Sequence, residues 1–204
     1  MKNLLKIVLL LVIVGLAYWA YRIPADTIKF NKNFEARYSE VVQRLKDIRE
    51  AERAYKRNYN KYTGSFDTLI NFLKNDTMVY ERAMGSLDDS VAVAKGLVRS
   101  EKVKIAIKDT IFYGRKVNFD NLRYVPFTDN TRQFELGARE IKTESEVVVP
   151  VFEAKVTFPV FLNDLGQDQE VINLVDKYES TGRFPGLKVG DLEQPNNDAG
   201  NWEN

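Results

Sequence analysis

The chain has no cysteine and no histidine. Without thiols there is no disulfide, no Cys nucleophile, no zinc finger and no iron–sulfur cluster. Without imidazole there is no His-ligated haem, no Ser-His-Asp triad and no side chain whose ordinary pKa lies near neutrality. Enzyme chemistry would fall to carboxylates, Lys, Tyr, Ser or Thr. An excess of one charge is lacking too. Thirty Lys+Arg stand against 29 Asp+Glu, a net of +1 over 204 residues, so no global basic field points to nucleic acid. Neither a phosphate-binding loop nor a dinucleotide fingerprint occurs, and no cofactor is implied. What remains, 44% hydrophobic and 29% charged residues, is the balance of one globular domain plus its ends.

The strongest positive signal is at the N-terminus. Lys2 and Lys6 precede residues 7–21, which carry no charge before Arg22. Counted from Leu4, with Lys6 snorkelling to the headgroups, the run approaches the roughly 20 residues of a membrane span. Tyr18, Trp19 and Tyr21 would form an interfacial aromatic belt. A cleaved signal peptide is the rival reading, but Ala17-Tyr18-Trp19-Ala20 puts bulky Tyr18 where a small residue is needed. Residues 1–24 are therefore expected to be an uncleaved transmembrane anchor ended by Pro24, with the lipid bilayer as its partner. In a bacterium, the short N-terminal tail places the larger domain in the periplasm, on a single-pass inner-membrane protein.

Residues 25–33 read as a linker, and residues 34–204 as an α+β domain with a loop-like tail from 182. Phe34, Tyr38, Val41, Leu45, Ile48, Tyr55 and Tyr59 recur at three- and four-residue steps, the stripe of a long amphipathic helix. Glu52 interrupts that seam. Gly64 is a natural stop, and Ser65 a cap for a short helix carrying Phe66, Leu69, Ile70 and Leu73. Strand patterns follow. Val103, Ile105 and Ile107 alternate with polar neighbours, and residues 111–113 continue them. Residues 122–127 are a shorter candidate, then Phe134, Leu136 and Ala138 alternate, and residues 147–158 form a strand that Pro150 marks as an edge or a bulge. A late helix is expected over 167–178. Helices, then mostly antiparallel strands, then a helix make an α+β fold. The helical stripe is expected to pack on strands near 103–107 and 147–151.

Charge is uneven along the chain. Residues 22–63 hold 11 basic and 6 acidic side chains, and residues 161–204 hold 3 basic and 9 acidic. One reading is a solvated helix face and an acidic surface loop. The other puts the basic helix near anionic headgroups and the acidic end against a basic partner. Asp191, Glu193, Asp198 and Glu203 could offer oxygen ligands to calcium, but their spacing matches no EF-hand loop, and plain turns explain such a tail. No metal site is assigned. Asp88-Asp89 is the one adjacent acidic pair, and neighbours in sequence rarely converge on one substrate, so no catalytic residue is assigned.

One triplet is overrepresented. Asp, then Ser or Thr, then a small or apolar residue occurs at Thr27, Thr68, Thr77, Ser90 and Thr110, where a shuffled chain would show roughly 0.4. The triplet resembles the acceptor motif of a general bacterial periplasmic O-glycosylation system, which makes these five hydroxyls modification candidates. Helix caps and strand starts also favour such pairs.

Two stretches resemble the pseudopilins of bacterial secretion systems. The apolar anchor leads into an amphipathic helix ending in Tyr55-Lys56-Arg57-Asn58-Tyr59-Asn60-Lys61-Tyr62, followed by a short helix. The end, Asp198-Ala199-Gly200-Asn201-Trp202, looks like the closing segment of major pseudopilins. No prepilin peptidase site precedes the apolar run, no Glu occupies its fifth position, and Arg22-Ile23-Pro24 interrupts the expected continuous helix. The chain also resembles single-pass bacterial envelope proteins. The expected role is non-catalytic binding or scaffolding in an envelope assembly, with an envelope protein as partner. The alternatives are a pseudopilin-like filament subunit and a membrane-tethered hydrolase using carboxylates.

Overall fold

The computed structural model of the chain describes residues 2–84, 99–112, 114–143 and 145–203. Its first element, α1 (Lys2–Tyr59), is one helix of 58 residues, about 87 Å long at 1.5 Å per residue. This corrects both the break at Pro24 and the linker over 25–33. Proline's fixed φ is itself helical; what the residue removes is one N–H, and its ring crowds one carbonyl a turn earlier. One lost bond does not end a helix whose turns continue on both sides.

Residues 6–20 of α1 are exposed throughout. Among the described residues, no helix is long and apolar enough to cross a membrane, in contrast to the span expected over 4–21. From Phe30 onward one face is covered. Val41, Leu45, Ile48 and Tyr55 are buried on the predicted stripe with Ala51 and Ala54 beside them, Phe34 and Tyr38 pack at its edge, and Tyr59 stays exposed at its end.

The helix α2 (Phe66–Asn75) buries Phe66, Leu69, Ile70, Phe72 and Leu73. Phe72 meets Tyr55 of α1 edge-on, with ring centres 5.1 Å apart. Ser65 stands at the cap position with extended backbone, but its side chain makes no capping bond. Then come β1 (Thr77–Met84) and β2 (Arg99–Ala106), an antiparallel two-stranded sheet. The strand β1 escaped the sequence pattern because Glu81 and Arg82 follow Val79 and Tyr80 directly, so no clean alternation survives. Ile107 opens a 3-10 turn instead of extending β2, and Ile111 and Phe112 lie in the turn after it, not in a strand. Of the candidate strand over 122–127, only a bridge between Tyr124 and Gln133 is seen.

The main sheet is antiparallel, ordered β3 (Glu135–Lys142), β4 (Val148–Thr157), β5 (Gly186–Gly190). Its register sets Val156 opposite Leu187, and Ala154 opposite Val189 on one side and Leu136 on the other. That places apolar pairs on one face, which packs against α1. Of the two strand regions expected to meet the stripe, 103–107 and 147–151, the second overlaps β4, and the main sheet contacts of α1 are with β4 and β5.

Two sequence expectations are corrected here. Pro150 sits in the central strand, not an edge strand. It remains tolerable because β5 pairs only with Glu153 through Thr157, so one side of β4 is open at Pro150. Phe152 and Val156 share its parity and turn their carbonyls toward β5, each 2.1 Å from where a Cβ on Gly190 or Gly186 would stand. Pro150 therefore directs its missing N–H beyond the end of β5, where no ladder bond is lost. The second correction is β5 itself, inside the segment read as loop. Its two end glycines allow the close approach to β4, and they are the residues that made it look like a turn.

The short helix α3 (Phe158–Leu162) and the late helix α4 (Asp168–Glu179) close the domain toward the N-terminal part of α1. Phe158 contacts both Phe34 and Tyr178 edge-on.

Candidate functional site

Glu52 is fully buried in the middle of the α1 stripe. Its neighbours on the helix commit it to the core, so its carboxyl must find partners inside. Oε2 accepts the Thr63 N–H at 2.9 Å, while Oε1 has no hydrogen-bond partner. Burial pushes its pKa up to about 8, the Thr63 N–H opposes that rise, and the charge of Asp198 adds to it. Glu52 is thus largely protonated at neutral pH.

The chain turns sharply after α1. Asn60 takes a left-handed conformation, φ 56°, and its N–H closes the helix on the Lys56 carbonyl at 2.7 Å. This carries Tyr62 back over the sheet, with its ring centre 4.8 Å from that of Phe152. The Tyr62 hydroxyl donates to Asp198 at 2.9 Å. Burial first, then the bond to Asp198, push that phenol far above its ordinary range. Lys56 stands 4.6 Å from the Tyr62 ring centre.

The C-terminal segment is held from the other side. Asn197 and Asp198 are both left-handed, with φ 55° and 59°, which turns the Asp198 carboxylate onto α1. Arg53 donates to it at 3.0 Å and to the Asn197 carbonyl at 2.9 Å. Arg49 reaches Glu203 at 2.8 Å. The uneven charge of the sequence therefore meets itself, because the acidic end finds its basic partner on α1 of the same chain. Glu203 is drawn down in pKa: burial raises it, but the Arg49 guanidinium and the Gly200 N–H outweigh that. Beside this clamp lies a cleft of about 330 Å³, lined by Lys56, Tyr62, Val149, Pro150 and Asp198 among others.

The two carboxylates that line the cleft are Asp191 and Asp198; Asp191 accepts from Lys188 and the Glu193 N–H, and Asp198 from Tyr62 and Arg53, while Glu52 does not line it. Of the four acids weighed as calcium ligands, Asp191 and Asp198 share the cleft. Asp191 accepts from Lys188 and from the Glu193 N–H, Asp198 from Arg53, and Glu203 from Arg49. Among the described residues, no cluster of three or more acidic side chains could hold a metal ion.

The five modification candidates are scattered. Thr68 on α2 and Thr77 at the start of β1 are exposed. Thr27 lies within α1, and its hydroxyl reaches Glu170 of α4 at 3.3 Å. Thr110 is half-buried and donates to the Ala106 carbonyl at 3.1 Å. Ser90 lies outside the described residues, as does the Asp88-Asp89 pair. Sequence reasoning missed the Tyr62–Asp198 contact, whose partners are 136 positions apart. The available signal was Glu52, the one carboxylate inside the apolar seam. No protein-family model, curated protein or solved structure matches this chain.

Proposed function

We propose that the chain is a membrane-anchored, non-catalytic subunit of a bacterial envelope assembly. It sits in the inner membrane through the N-terminal part of α1 and works in the periplasm by binding or scaffolding a protein partner. The observation that carries this reading is the contrast within one helix. Between residues 7 and 19, α1 offers Leu9, Leu11, Ile13, Leu16 and Trp19 at 57–64% exposure, with no cover from its own domain. Residues 4–21 would be about 27 Å long, close to the roughly 30 Å of a bilayer's hydrocarbon core.

A second reading, a pseudopilin-like filament subunit, is favoured by the unbroken course of α1 from this apolar segment into the domain. The Arg22-Ile23-Pro24 step, a departure from the pseudopilin pattern, does not interrupt the helix. The hydrolase alternative draws little support, since Asp191 and Asp198, the carboxylates of the cleft, are bonded by the chain's own donors.

Membrane fractionation of the full chain tests the anchor. The chain is expected to resist carbonate extraction, and Val12→Lys with Val14→Lys to lose the membrane fraction. A mature N-terminus at Tyr21 or later would overturn the anchored reading.

A further inference from the structure

Two hollows adjoin at the end of the domain nearer the helix N-terminus. One, about 540 Å³, is lined by Phe127, Asp129, Pro159 and Val160 among others, and the second, about 280 Å³, by Ile172, Asp168 and Asp176 among others. They share Pro159 and Asn163, so they form one groove. The larger hollow has a mixed lining and the smaller an apolar floor of Pro159, Val171, Ile172 and Val175, and Phe127 and Ile172 are 48% and 52% exposed. Phe127 is held outward by a left-handed backbone, φ 66°, followed by Asp129 and Asn130 at 48° and 59°. A bulky aromatic rarely adopts that region, and such strain concentrates where a side chain is used. The Arg37 guanidinium supports the ring from 4.8 Å.

The groove is acidic. Residues 161–179 hold five carboxylates and one lysine. Arg37 engages Asp164, and Arg132 also reaches the rim, while Asp129, Asp168 and Asp176 remain on it.

The opposite character appears at the other end of the domain. The β1–β2 arm is a sheet of only two strands. Over residues 77–84 and 99–108 it carries five basic and two acidic side chains. On its outward face Val79, 54% exposed, lies directly opposite Lys104. An apolar residue beside a lysine is the complement of an apolar floor beside carboxylates.

The two surfaces cannot meet within one chain. The arm joins α1 at its end, where Asn58 donates to the Thr77 carbonyl at 3.2 Å. The groove joins α1 at Arg37, which donates to the Phe161 carbonyl at 2.7 Å. Those positions are about 30 Å apart along the helix. A second copy displaced about 30 Å along the helix axis would bring them together, its residues 4–21 then lying beyond the bilayer level of the first copy's, as a filament drawn out of the membrane requires.

We propose that the basic β1–β2 arm of one copy docks in the acid-rimmed apolar groove of a second copy, head to tail. This rests on the filament reading and names its contact. Such a contact is heterologous and does not close by two-fold symmetry, so it propagates into an open chain.

The absence of cysteine makes the test clean. The full chain carrying Val79→Cys and Ile172→Cys is oxidised mildly in its native membranes. A ladder of dimers, trimers and higher species is expected, with none from either single variant. Lys104→Glu or Asp176→Lys added to that chain should each abolish the ladder, and both together should restore it. All four substituted side chains are exposed on the surface, so melting should match the parent. As a check without substitution, carbodiimide treatment of the unaltered chain should link Lys104 to Asp168 or Asp176 between copies. Monomers only and no such linked peptide, or crosslinking through Val79→Cys alone, would overturn the docking. A variant with only Ile13→Cys reports contact between anchor helices. Dimers there without the arm–groove ladder would sink the docking and leave the filament reading, and no crosslink at either place would remove both.

Discussion

The two ends of α1 share one backbone and obey opposite rules. Residues 7–20 are apolar on every side and are exposed throughout, whereas residues 41–55 bury one stripe and spend their charged faces on specific partners. The first pattern can be satisfied only by something outside the chain. The second consumes its whole apolar face internally and uses Arg49 and Arg53 to hold the C-terminal segment. Amphipathic width, not helix length, decides which half belongs to the domain.

The comparison breaks most sharply at Leu45 and Ile48, both fully buried. Leu45→Ala or Ile48→Ala should each cost about 2–5 kcal/mol, read as a lower melting temperature of the full chain in detergent. Leu9→Ala or Ile13→Ala in the exposed half should leave domain melting unchanged. Equal effects in both halves would mean that the N-terminal segment packs on the domain after all.

Next is the pH dependence set by Glu52. Its folded-state pKa, about 8, lies above its ordinary 4.5. The folded state thus holds a proton that the unfolded chain releases, and stability is fully present below about 4.5 and lost as pH rises to 8. At about 1.4 kcal/mol per pKa unit, the loss amounts to a few kcal/mol. Glu52→Gln, which keeps an acceptor for the Thr63 N–H and cannot ionise, should flatten the melting-temperature profile between pH 5 and 8. An unchanged slope would assign the pH dependence to other groups.

The clamp is a smaller effect. Asp198→Ala removes the acceptor for Arg53 and Tyr62 and should destabilise by about 1–3 kcal/mol, with faster proteolysis of the C-terminal segment. Smaller again is Asp164→Asn. The Arg37 guanidinium holds Asp164 below the usual carboxylate range, so its contribution is present above its ordinary pKa and fades as pH falls through the depressed one. With its side chain 56% exposed, the pair is worth about 0.2–1 kcal/mol. Modification should leave stability nearly unchanged but not mass. The chain from its native host is expected above 23.5 kDa, with Thr68→Ala or Thr77→Ala removing an increment. A mass equal to the bare polypeptide would discard the modification.

Much of the fold was legible where one face alternates with another. The stripe of α1, the apolar face of α2 and the late helix, whose Val171, Leu174, Val175 and Tyr178 face the core, follow from periodicity. The elements that were missed lack that signal. β5 is five residues between glycines, and its strand character exists only because β4 lies beside it. Pro24 and Pro150 mislead for different reasons. Pro24 costs α1 one bond, which the turns on either side outlast, and Pro150 costs β4 none, because β5 ends before it. At the candidate site, Glu52 was visible as an irregularity in the seam, but its environment was not.

By itself the sequence excluded thiol and imidazole chemistry, through the absence of both groups, and divided the N-terminal residues into an all-round apolar part and an amphipathic part. It also determined the α+β order of elements. Only the tertiary structure decided that the acidic end closes on the basic helix, that Tyr62 and Asp198 meet, and that α1 runs through Pro24. Local pattern records which surfaces need burial; partners 136 residues apart in sequence are chosen by the packing of the whole core.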